Sequence, residues 1–292
     1  MPRTAKDYTN TYGKPNWCPG CGDFGIEMAL KQAMAKMDLD PDKITFVSGI
    51  GCGANMPYWF STYGAITLHG RALPFATGAK LANHSQQVVV EGGDGDGYGI
   101  GMGHFVHTMR RNINMTYLVG NNTVYGLTKG QVSPTAEKGC KAPSTPFGNP
   151  DPSINPLAIA LSAGCSFVAR GYAGNLPHLI DLIVKGFNHK GFSYIDVLQP
   201  CVTYDKVHGY SYYQDRTYDL EANGHDKTDK TAAFAKAFED DRSPIGIFFQ
   251  EERDVYEDVQ PQFATGPLTS KDIYNIDISD LFGQYSFVGD GG

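Results

Sequence analysis

The sequence has no run of about 18 or more apolar residues, so we expect no transmembrane helix. Its first ten residues, MPRTAKDYTN, lack the apolar central region of a secretory signal, and this favours a cytoplasmic location. A basic excess is also absent: the net charge of −7 and the pI near 5.6 argue against binding to nucleic acid or to an anionic membrane.

The chain holds only six cysteines in 292 residues. In a reducing cytoplasm they are not expected to form structural disulfides, which leaves metal ligation, catalysis or burial to explain them. Glycine is plentiful, with 35 residues, and it clusters in the strings GIGCG and GGDGDGYGIGMG. Such clusters predict loops that approach a ligand closely.

No internal repeat or low-complexity linker divides the sequence. Short β-branched runs alternate with helical patterns, which predicts an α/β fold with a mostly parallel sheet and helices on both faces. Asp23 is expected to cap the first helix. The patterns predict helices at 23–37, 72–82, 104–111, 154–163, 176–187 and 229–239, and strands at 44–48, 88–90, 115–119, 167–169, 193–198 and 245–250.

Two segments fall outside this alternation. Residues 123–152 form a long polar stretch, and structureless loops of this length in compact domains are usually functional. Residues 256–292 show weak periodicity. We therefore expect one domain over residues 1–255, followed by a C-terminal arm that packs on a partner or on the domain's own surface.

The most informative motif is the string GGDGDG at 92–97, followed one strand–helix–strand span later by Asn121 and Asn122. If the two strands are parallel neighbours, both loops emerge at the sheet edge where α/β proteins bind ligands. Asp94 and an Asn amide supply the oxygen ligands that Mg²⁺ prefers, and the glycines let backbone N–H groups approach phosphate. The pattern predicts a site for Mg²⁺ and a diphosphate.

Two other phosphate motifs do not explain this segment. The glycines at 92–103 contain no G-x-G-x-x-G, and the chain has no Walker sequence ending in Gly-Lys-Ser or Gly-Lys-Thr. A glycine-rich structural turn in which Asp94 only caps the next helix is the alternative interpretation. The Asn pair after the next strand favours a binding site.

Four cysteines are placed to converge. Cys18 and Cys21 form a CxxC in the loop before the first helix, while Cys52 and Cys201 each follow the end of a predicted strand. A second CxxC, as in a zinc ribbon, is absent. Four thiolates without histidine fit a [4Fe–4S] cluster, and tetrahedral zinc remains chemically allowed. Cys165 is interpreted as a core residue and Cys140 as an incidental thiol.

Taken together, these strings resemble the β subunit of the 2-oxoacid:ferredoxin oxidoreductases, over roughly residues 15–255. The resemblance is carried in order by WCPGCGD, SGIGC, LHGRALPFATGAKLA, GGDGDGYGIGMGH, NNTVYGLTKGQ and QPC. It implies the diphosphate-binding fold of thiamine-diphosphate enzymes.

The resemblance also implies roles for individual residues. The ligands of the [4Fe–4S] cluster would be Cys18, Cys21, Cys52 and Cys201, and those of Mg²⁺ would be Asp94, Asn122 and the carbonyl of Val124. Contacts with thiamine diphosphate would come from Ile50, Gly51, Cys52, Gly53, His69, Gly95, Asp96, Gly126 and Leu127. His69, Arg71 and Lys129 are the candidate catalytic side chains. Family members commonly carry Lys or Arg near position 55, where this chain has Asn55.

The implied reaction is the coenzyme A-dependent oxidative decarboxylation of a 2-oxoacid, or the reverse carboxylation, with electrons passing through the cluster to ferredoxin. The cofactor supplies the carbanion chemistry. No second domain's worth of residues remains for the aminopyrimidine. The activating glutamate and most of the coenzyme A site are therefore expected from an α subunit, in an αβ or (αβ)₂ assembly.

2-Oxoglutarate is the favoured substrate and pyruvate the alternative, because Arg71 and Lys129 could meet a distal carboxylate and because MPYWFSTYG resembles 2-oxoglutarate-using members. Two rival functions remain open. A non-redox thiamine-diphosphate decarboxylase or synthase subunit would leave the cysteines unexplained. A zinc-stabilised, non-catalytic subunit would leave the Asp–Asn motif unexplained.

Overall fold

The computed structural model describes residues 2–272 and 274–285. Its strands are β1 (Ile44–Ser48), β2 (Tyr63–Ile66), β3 (Gln87–Gly93), β4 (Met115–Asn121), β5 (Val124–Tyr125), β6 (Gln131–Val132), β7 (Phe167–Tyr172), β8 (Phe192–Leu198), β9 (Thr217–Asp219) and β10 (Ser243–Gln250). Its α-helices are α1 (Asp23–Lys36), α2 (Ala72–Ala82), α3 (Met102–Arg111), α4 (Pro156–Ser162), α5 (Leu176–Asn188), α6 (Tyr210–Arg216), α7 (Lys230–Ala237) and α8 (Ser279–Tyr285).

One sheet carries eight of these strands, in the order β2-β1-β3-β4-β8-β7-β10-β9. Its neighbours pair in parallel, except that β10 runs antiparallel to β7. The fully buried pattern of β4 and β8 is what a sheet covered on both faces requires. The predicted mostly parallel α/β fold is confirmed.

Helices cover both faces of the sheet. Val88 and Val90 of β3 pack into a cluster with residues of α2, α3, α4 and α7, whereas Val89 packs into a second cluster with residues of α1 and α5. Successive side chains of a strand point to opposite faces, so β3 contributes to both layers. The sheet is therefore the middle of three layers.

Several predicted elements match closely and others do not. Strand β1 and helix α2 have the predicted bounds, while β2, β9 and α6 were not predicted. The prediction of a structureless loop at 123–152 was wrong at its start, where β5 and β6 pair in a short antiparallel hairpin. Asp23 does not cap α1: the N-cap is Gly22, and the Asp23 carboxylate is buried against Cys21, whose Sγ lies 3.3 Å from it.

The first part of the chain after β10 lies on the domain's own surface. The Glu257 carboxylate accepts a hydrogen bond from the Asn114 N–H at 3.1 Å. The ring centroid of the buried Phe263 lies 6.0 Å from that of His84. Residues 273 and 286–292 of the predicted arm lie outside the described residues. Within the described chain, no helix has the length and apolar character needed to cross a membrane.

Candidate active site

The carboxyl ends of β3 and β4 lie side by side, because Gly93 of β3 pairs with Gly120 of β4 in a parallel register. Asp94 directly follows β3, and Asn122 directly follows β4. The predicted convergence of the two loops at one sheet edge is confirmed. The sheet therefore places an acidic and an amide side chain next to each other without help from a long loop.

Asp94 is held by three donors that reach the same carboxylate oxygen. Its Oδ2 accepts hydrogen bonds from the Thr123 N–H at 3.0 Å, the Ser133 hydroxyl at 2.5 Å and the Thr135 hydroxyl at 2.6 Å. Asp94 makes no side-chain capping bond to the helical turn that follows it, which argues against the capping interpretation. Burial raises the pKa of Asp94 to about 6, and the hydrogen bonds from Ser133 and Thr135 oppose that rise.

The loop after β4 is shaped by Asn122 and Thr123. The Asn122 amide oxygen accepts a hydrogen bond from the Val124 N–H at 3.2 Å. Thr123 has a φ of +63°, in the left-handed region that non-glycine residues rarely adopt, and its N–H points to Asp94. This strained turn holds the two predicted side-chain ligands of Mg²⁺, Asp94 and Asn122, in one place.

Asp96 joins three loops. One of its oxygens, Oδ1, accepts hydrogen bonds from the Ile50 N–H at 2.9 Å and the Gly70 N–H at 2.7 Å, and lies 3.2 Å from Nδ1 of His69. A Cβ at Gly49 would lie 2.0 Å from Asp96 Oδ2, so only glycine lets the loop after β1 pack this closely. Burial raises the pKa of Asp96, while those N–H groups and His69 oppose the change.

A cleft opens between these loops, and we name it the cofactor cleft. The residues predicted to contact thiamine diphosphate or Mg²⁺ all line it: Ile50, Gly51, Cys52, Gly53, His69, Asp94, Gly95, Asp96, Asn122, Val124, Gly126 and Leu127. The structure thus brings together residues from four separate loops. Their roles toward a cofactor remain predictions.

Two of the three candidate catalytic residues lie elsewhere. His69 lines the cofactor cleft, but Arg71 and Lys129 are exposed and are not among the described residues that line it. The Arg71 guanidinium contacts the carbonyl of Gly70, and Lys129 occupies a turn with a φ of +77°. The role of these two cations toward a substrate stays a prediction.

Sequence reasoning missed several polar residues of the cleft. Glu91, Tyr125, Thr128 and Gln199 line it, while Ser133 and Thr135 anchor Asp94 from behind. Glu91 is buried and its Oε2 has no hydrogen-bond partner. Burial, followed by the charges of Asp23 and Asp96, raises its pKa well above the ordinary value. The signal available in the sequence was a lone Glu inside the apolar strand QVVVEGG.

The cleft fits a diphosphate and its cation. Ideal Cβ atoms at Gly51 and Gly93 would meet nothing within 4 Å, so the backbone there is bare toward the cleft and can approach phosphate oxygens. The donor set, the Asp94 carboxylate with the Asn122 amide and the Val124 carbonyl, consists of the hard oxygen atoms that Mg²⁺ takes. A cation would also offset the cost of burying Asp94.

A second cavity adjoins the first, and we name it the cysteine cavity. Cys18, Cys21, Cys52 and Cys201 all line it. Two hydrogen bonds join the segments that carry them. The Trp17 indole N–H donates to the Cys52 carbonyl at 2.6 Å, and the Gly22 N–H donates to the Pro200 carbonyl at 3.2 Å. The four cysteines therefore border one cavity, and their role as cluster ligands stays a prediction.

The cavity disfavours free thiolates. Burial raises the pKa of Cys52 to about 12, with smaller contributions from the charges of Asp23, Cys201 and Cys18. Burial and the charge of Asp23 also raise the pKa of Cys21. Thiolates here need a cationic partner, as the irons of a cluster would provide. Among residues 2–272 and 274–285, no three His, Cys, Asp or Glu side chains are grouped to hold a single metal ion.

The two cavities share a wall. Four residues line both of them: Cys52, Asn122, Gly126 and Leu127. A Cβ at Gly126 would lie 3.0 Å from the sulfur of Cys52, so the loop after β4 packs directly on this cysteine. Of the remaining cysteines, Cys165 is buried in the core as predicted, and Cys140 is exposed.

Comparison with known proteins agrees with this geometry. Residues 43–197 match the family described as "Thiamine pyrophosphate enzyme, C-terminal TPP binding domain". Residues 201–265 match a second family, the C-terminal part of the pyruvate ferredoxin oxidoreductase beta chain. The fold and the cofactor cleft therefore place the chain in the class of thiamine-diphosphate enzymes.

The similar proteins narrow this class. The chain is 50% identical to the 2-oxoacid:ferredoxin oxidoreductase subunit beta of Saccharolobus solfataricus, over 81% of this chain and 82% of that protein. It is 42% identical to the 2-oxoglutarate oxidoreductase subunit KorB of Mycobacterium tuberculosis, over 69% of this chain and 54% of that protein.

A solved structure is similar over nearly the whole chain. The 2-oxoglutarate:ferredoxin oxidoreductase from Magnetococcus marinus, with 2-oxoglutarate, coenzyme A and succinyl-CoA bound, matches with a TM-score of 0.89 and 35% identity, covering 97% of this chain and 96% of that one. The chain belongs to the β subunits of the 2-oxoacid:ferredoxin oxidoreductases, a family of oxidoreductases.

Proposed function

We propose that this β subunit binds thiamine diphosphate with Mg²⁺ in the cofactor cleft and a [4Fe–4S] cluster in the cysteine cavity, and that it passes electrons from the first to the second. The observation that carries the proposal is the wall of four residues, Cys52, Asn122, Gly126 and Leu127, that lines both cavities. A non-redox decarboxylase has no need of such a wall, and a zinc scaffold has no need of the cofactor cleft.

In the cofactor cleft, Asp94, Asn122 and the Val124 carbonyl would hold Mg²⁺, and the bare backbone at Gly51 and Gly93 would face the diphosphate. When bound, thiamine diphosphate supplies the carbanion chemistry of decarboxylation. The chain's own part is to position the cofactor: Asp96 fixes the loops after β1 and β2, and His69 lies over the cleft beside it.

In the cysteine cavity, Cys18, Cys21, Cys52 and Cys201 would hold the cluster, which accepts single electrons. Ferredoxin is the proposed external acceptor, in keeping with the names of the relatives. The shared wall leaves no room for a separate domain between donor and acceptor. The protein would work in the cytoplasm.

The substrate we propose is 2-oxoglutarate, with pyruvate as the alternative, and coenzyme A is the co-substrate. The similar structure from Magnetococcus marinus carries 2-oxoglutarate, coenzyme A and succinyl-CoA. The cofactor cleft is lined mainly by the loops after β1, β2, β3 and β4. We assign the activating glutamate and most of the coenzyme A site to an α subunit, as the family resemblance implies. On this proposal, residues 1–255 form one diphosphate-binding domain, and the segment from 256 onward is an arm on its surface.

Anaerobic co-purification with the α subunit tests the proposal. We expect about four irons and four sulfides per αβ unit, bound thiamine diphosphate, and an EPR signal that appears when 2-oxoglutarate and coenzyme A are added. Zinc in place of iron would contradict the electron path and favour the scaffold. Magnesium and cofactor without iron would favour a non-redox lyase. Turnover by the purified β chain alone would contradict the need for an α subunit.

A further inference from the structure

Gln199 is a buried polar residue that lies between the two cavities. It directly follows β8, and its N–H donates to the Asn121 carbonyl at 3.0 Å, which fixes its backbone against the end of β4. Only 3% of the residue is exposed. Its position is therefore set by the two central strands of the sheet rather than by a surface loop.

Two glycines make space for its side chain. A Cβ at Gly22 would lie 2.6 Å from the Gln199 Cγ, and a Cβ at Gly120 would lie 2.3 Å from its Oε1. Both distances are shorter than any contact that real Cβ atoms make. The CxxC loop and the end of β4 thus form a slot that holds this side chain in one conformation.

From that slot the Gln199 amide reaches one of the four cysteines. Its Nε2 donates to the sulfur of Cys21 at 3.8 Å. Gln199 and Cys21 together oppose the increase in the pKa of Asp23 that burial causes. The Gln199 side chain lines the cofactor cleft on its other side. No other cysteine of the cavity has a side-chain amide donor among the described hydrogen bonds.

We propose that Gln199 is a positioning residue that raises the reduction potential of the cluster by donating an N–H···S hydrogen bond to Cys21. A donor to a ligand sulfur stabilises the more negative, reduced form of an iron–sulfur cluster, so it raises the potential. The inference rests on the proposed function, since it requires a cluster in the cysteine cavity. It makes Gln199 a determinant of how readily that cluster accepts an electron.

The test is an EPR-monitored redox titration of the αβ complex carrying Gln199→Met or Gln199→Glu. Methionine keeps the length of the side chain and removes the donor, and glutamate keeps the shape and replaces the donor with a negative charge. We expect both variants to retain iron and to shift the midpoint potential to a lower value, with the larger shift in Gln199→Glu. Gln131→Met, at a glutamine whose described side-chain hydrogen bonds go to Thr128, is the control and should leave the potential unchanged.

The outcomes separate the inference from the function on which it rests. Wild-type protein without iron would contradict the proposed function, whereas a normal iron content with an unchanged potential in both variants would overturn only the role of Gln199. If the variants lose the cluster, wild-type protein labelled with ¹⁵N in the glutamine side chains decides the matter. Pulsed EPR of its reduced cluster should then detect a ¹⁵N coupling, and its absence would overturn the inference.

Discussion

Oδ2 of Asp205 lies 3.0 Å from the hydroxyl oxygen of Thr123. Thr123 stands between Asn122 and Val124, and the N–H of Asp205 bonds back to the Cys201 carbonyl at 3.2 Å. The loop that carries a proposed cluster ligand is therefore tied to the loop that carries two proposed Mg²⁺ ligands. Disturbing one loop is expected to disturb the other.

This tie predicts a dependence of stability on pH. Burial opposes a positive charge on His208 and so lowers its pKa. The hydrogen bond and charge of Asp205 and the charge of Glu137 outweigh this effect and raise the pKa of His208 above the ordinary value. His208 Nδ1 lies 2.6 Å from Asp205 Oδ2. Because the folded pKa is the higher one, the stabilisation is complete below about pH 6.5 and is lost as the pH rises through the folded value. We therefore expect the Tm to fall as the pH rises from about 6.5 through the folded pKa of His208.

Asp205→Asn supplies the comparison for this prediction. Burial alone would raise the pKa of Asp205, but hydrogen bonds from the side chain and backbone of His208 and from the Val207 N–H lower it to about 2. The carboxylate is therefore ionised throughout the range measured. In thermal melts, the Tm of the variant should be lower than that of the wild type at pH 6, and it should depend less on pH above pH 6. Parallel curves for wild type and variant would contradict the role given to this pair.

Thr135→Val is predicted to weaken cofactor binding. The change removes the hydroxyl whose oxygen lies 2.6 Å from Asp94 Oδ2 and 2.8 Å from the Asn121 amide oxygen, and whose single proton can be donated to either acceptor. Loss of a group that orients a metal ligand typically costs about 10- to 100-fold in affinity. Calorimetry on the αβ complex, with thiamine diphosphate titrated at fixed Mg²⁺, would measure this affinity. Thr135→Ser is the control, because serine keeps the hydroxyl donor. An unchanged affinity in Thr135→Val would contradict the orienting role given to the Thr135 hydroxyl.

The cysteines divide into two groups with different expected behaviour. Cys201→Ser should lower the iron content below the roughly four atoms expected for the wild type, because the substitution removes a thiolate from the cavity. Cys140→Ser alters an exposed thiol of the polar loop and should leave iron and the EPR spectrum unchanged. Iron and acid-labile sulfide analysis distinguishes these results. Equal iron in both variants would argue against the four-cysteine assignment.

Gly49→Ala is predicted to destabilise the fold by about 1–3 kcal/mol, the range for leaving a buried polar group without its partner. The new methyl group would overlap the Asp96 carboxylate, whose hydrogen bonds to Ile50 and Gly70 would have to break. Gly78→Ala is the matched control. It lies within helix α2 with nothing within 4 Å of its Cβ, and alanine there should stabilise the helix by up to about 1 kcal/mol. Denaturant melts of both variants give the comparison.

The sequence was most informative where a buried strand ends in a polar or cysteine residue. The bounds of β1 were predicted because ITFVS is a short, continuous apolar run, and the residues that follow such strands are placed by the sheet itself. Strand β2 has the half-exposed sequence YGAI and carries no such signal. The antiparallel direction of β10 also escaped prediction, since a fully buried strand looks the same in either direction.

Residues whose role depends on distant glycines could not be predicted. Glu91 lies where it does because Gly53, from another loop, has no side chain: a Cβ there would lie 2.0 Å from its Oε1. Gln199 depends in the same way on Gly22 and Gly120. Such fits are made between segments far apart in the chain, and no local pattern encodes them. Arg71 and Lys129 were predicted to lie in the cleft because they stand beside motif residues in the sequence. In the fold, neither is among the described residues that line it.

The order of the central strands sets a length scale for electron transfer. Strands β1, β3, β4 and β8 are consecutive neighbours, and each is followed within a few residues by a proposed ligand: Cys52, Asp94, Asn122 and Cys201. Neighbouring strands lie ~4.8 Å apart, so these four strand ends span roughly 15 Å. On the proposed function, hydrogen-bonded backbone would therefore set the separation between the cofactor and the cluster ligands Cys52 and Cys201. The two sites would keep this separation without a rearrangement of the sheet.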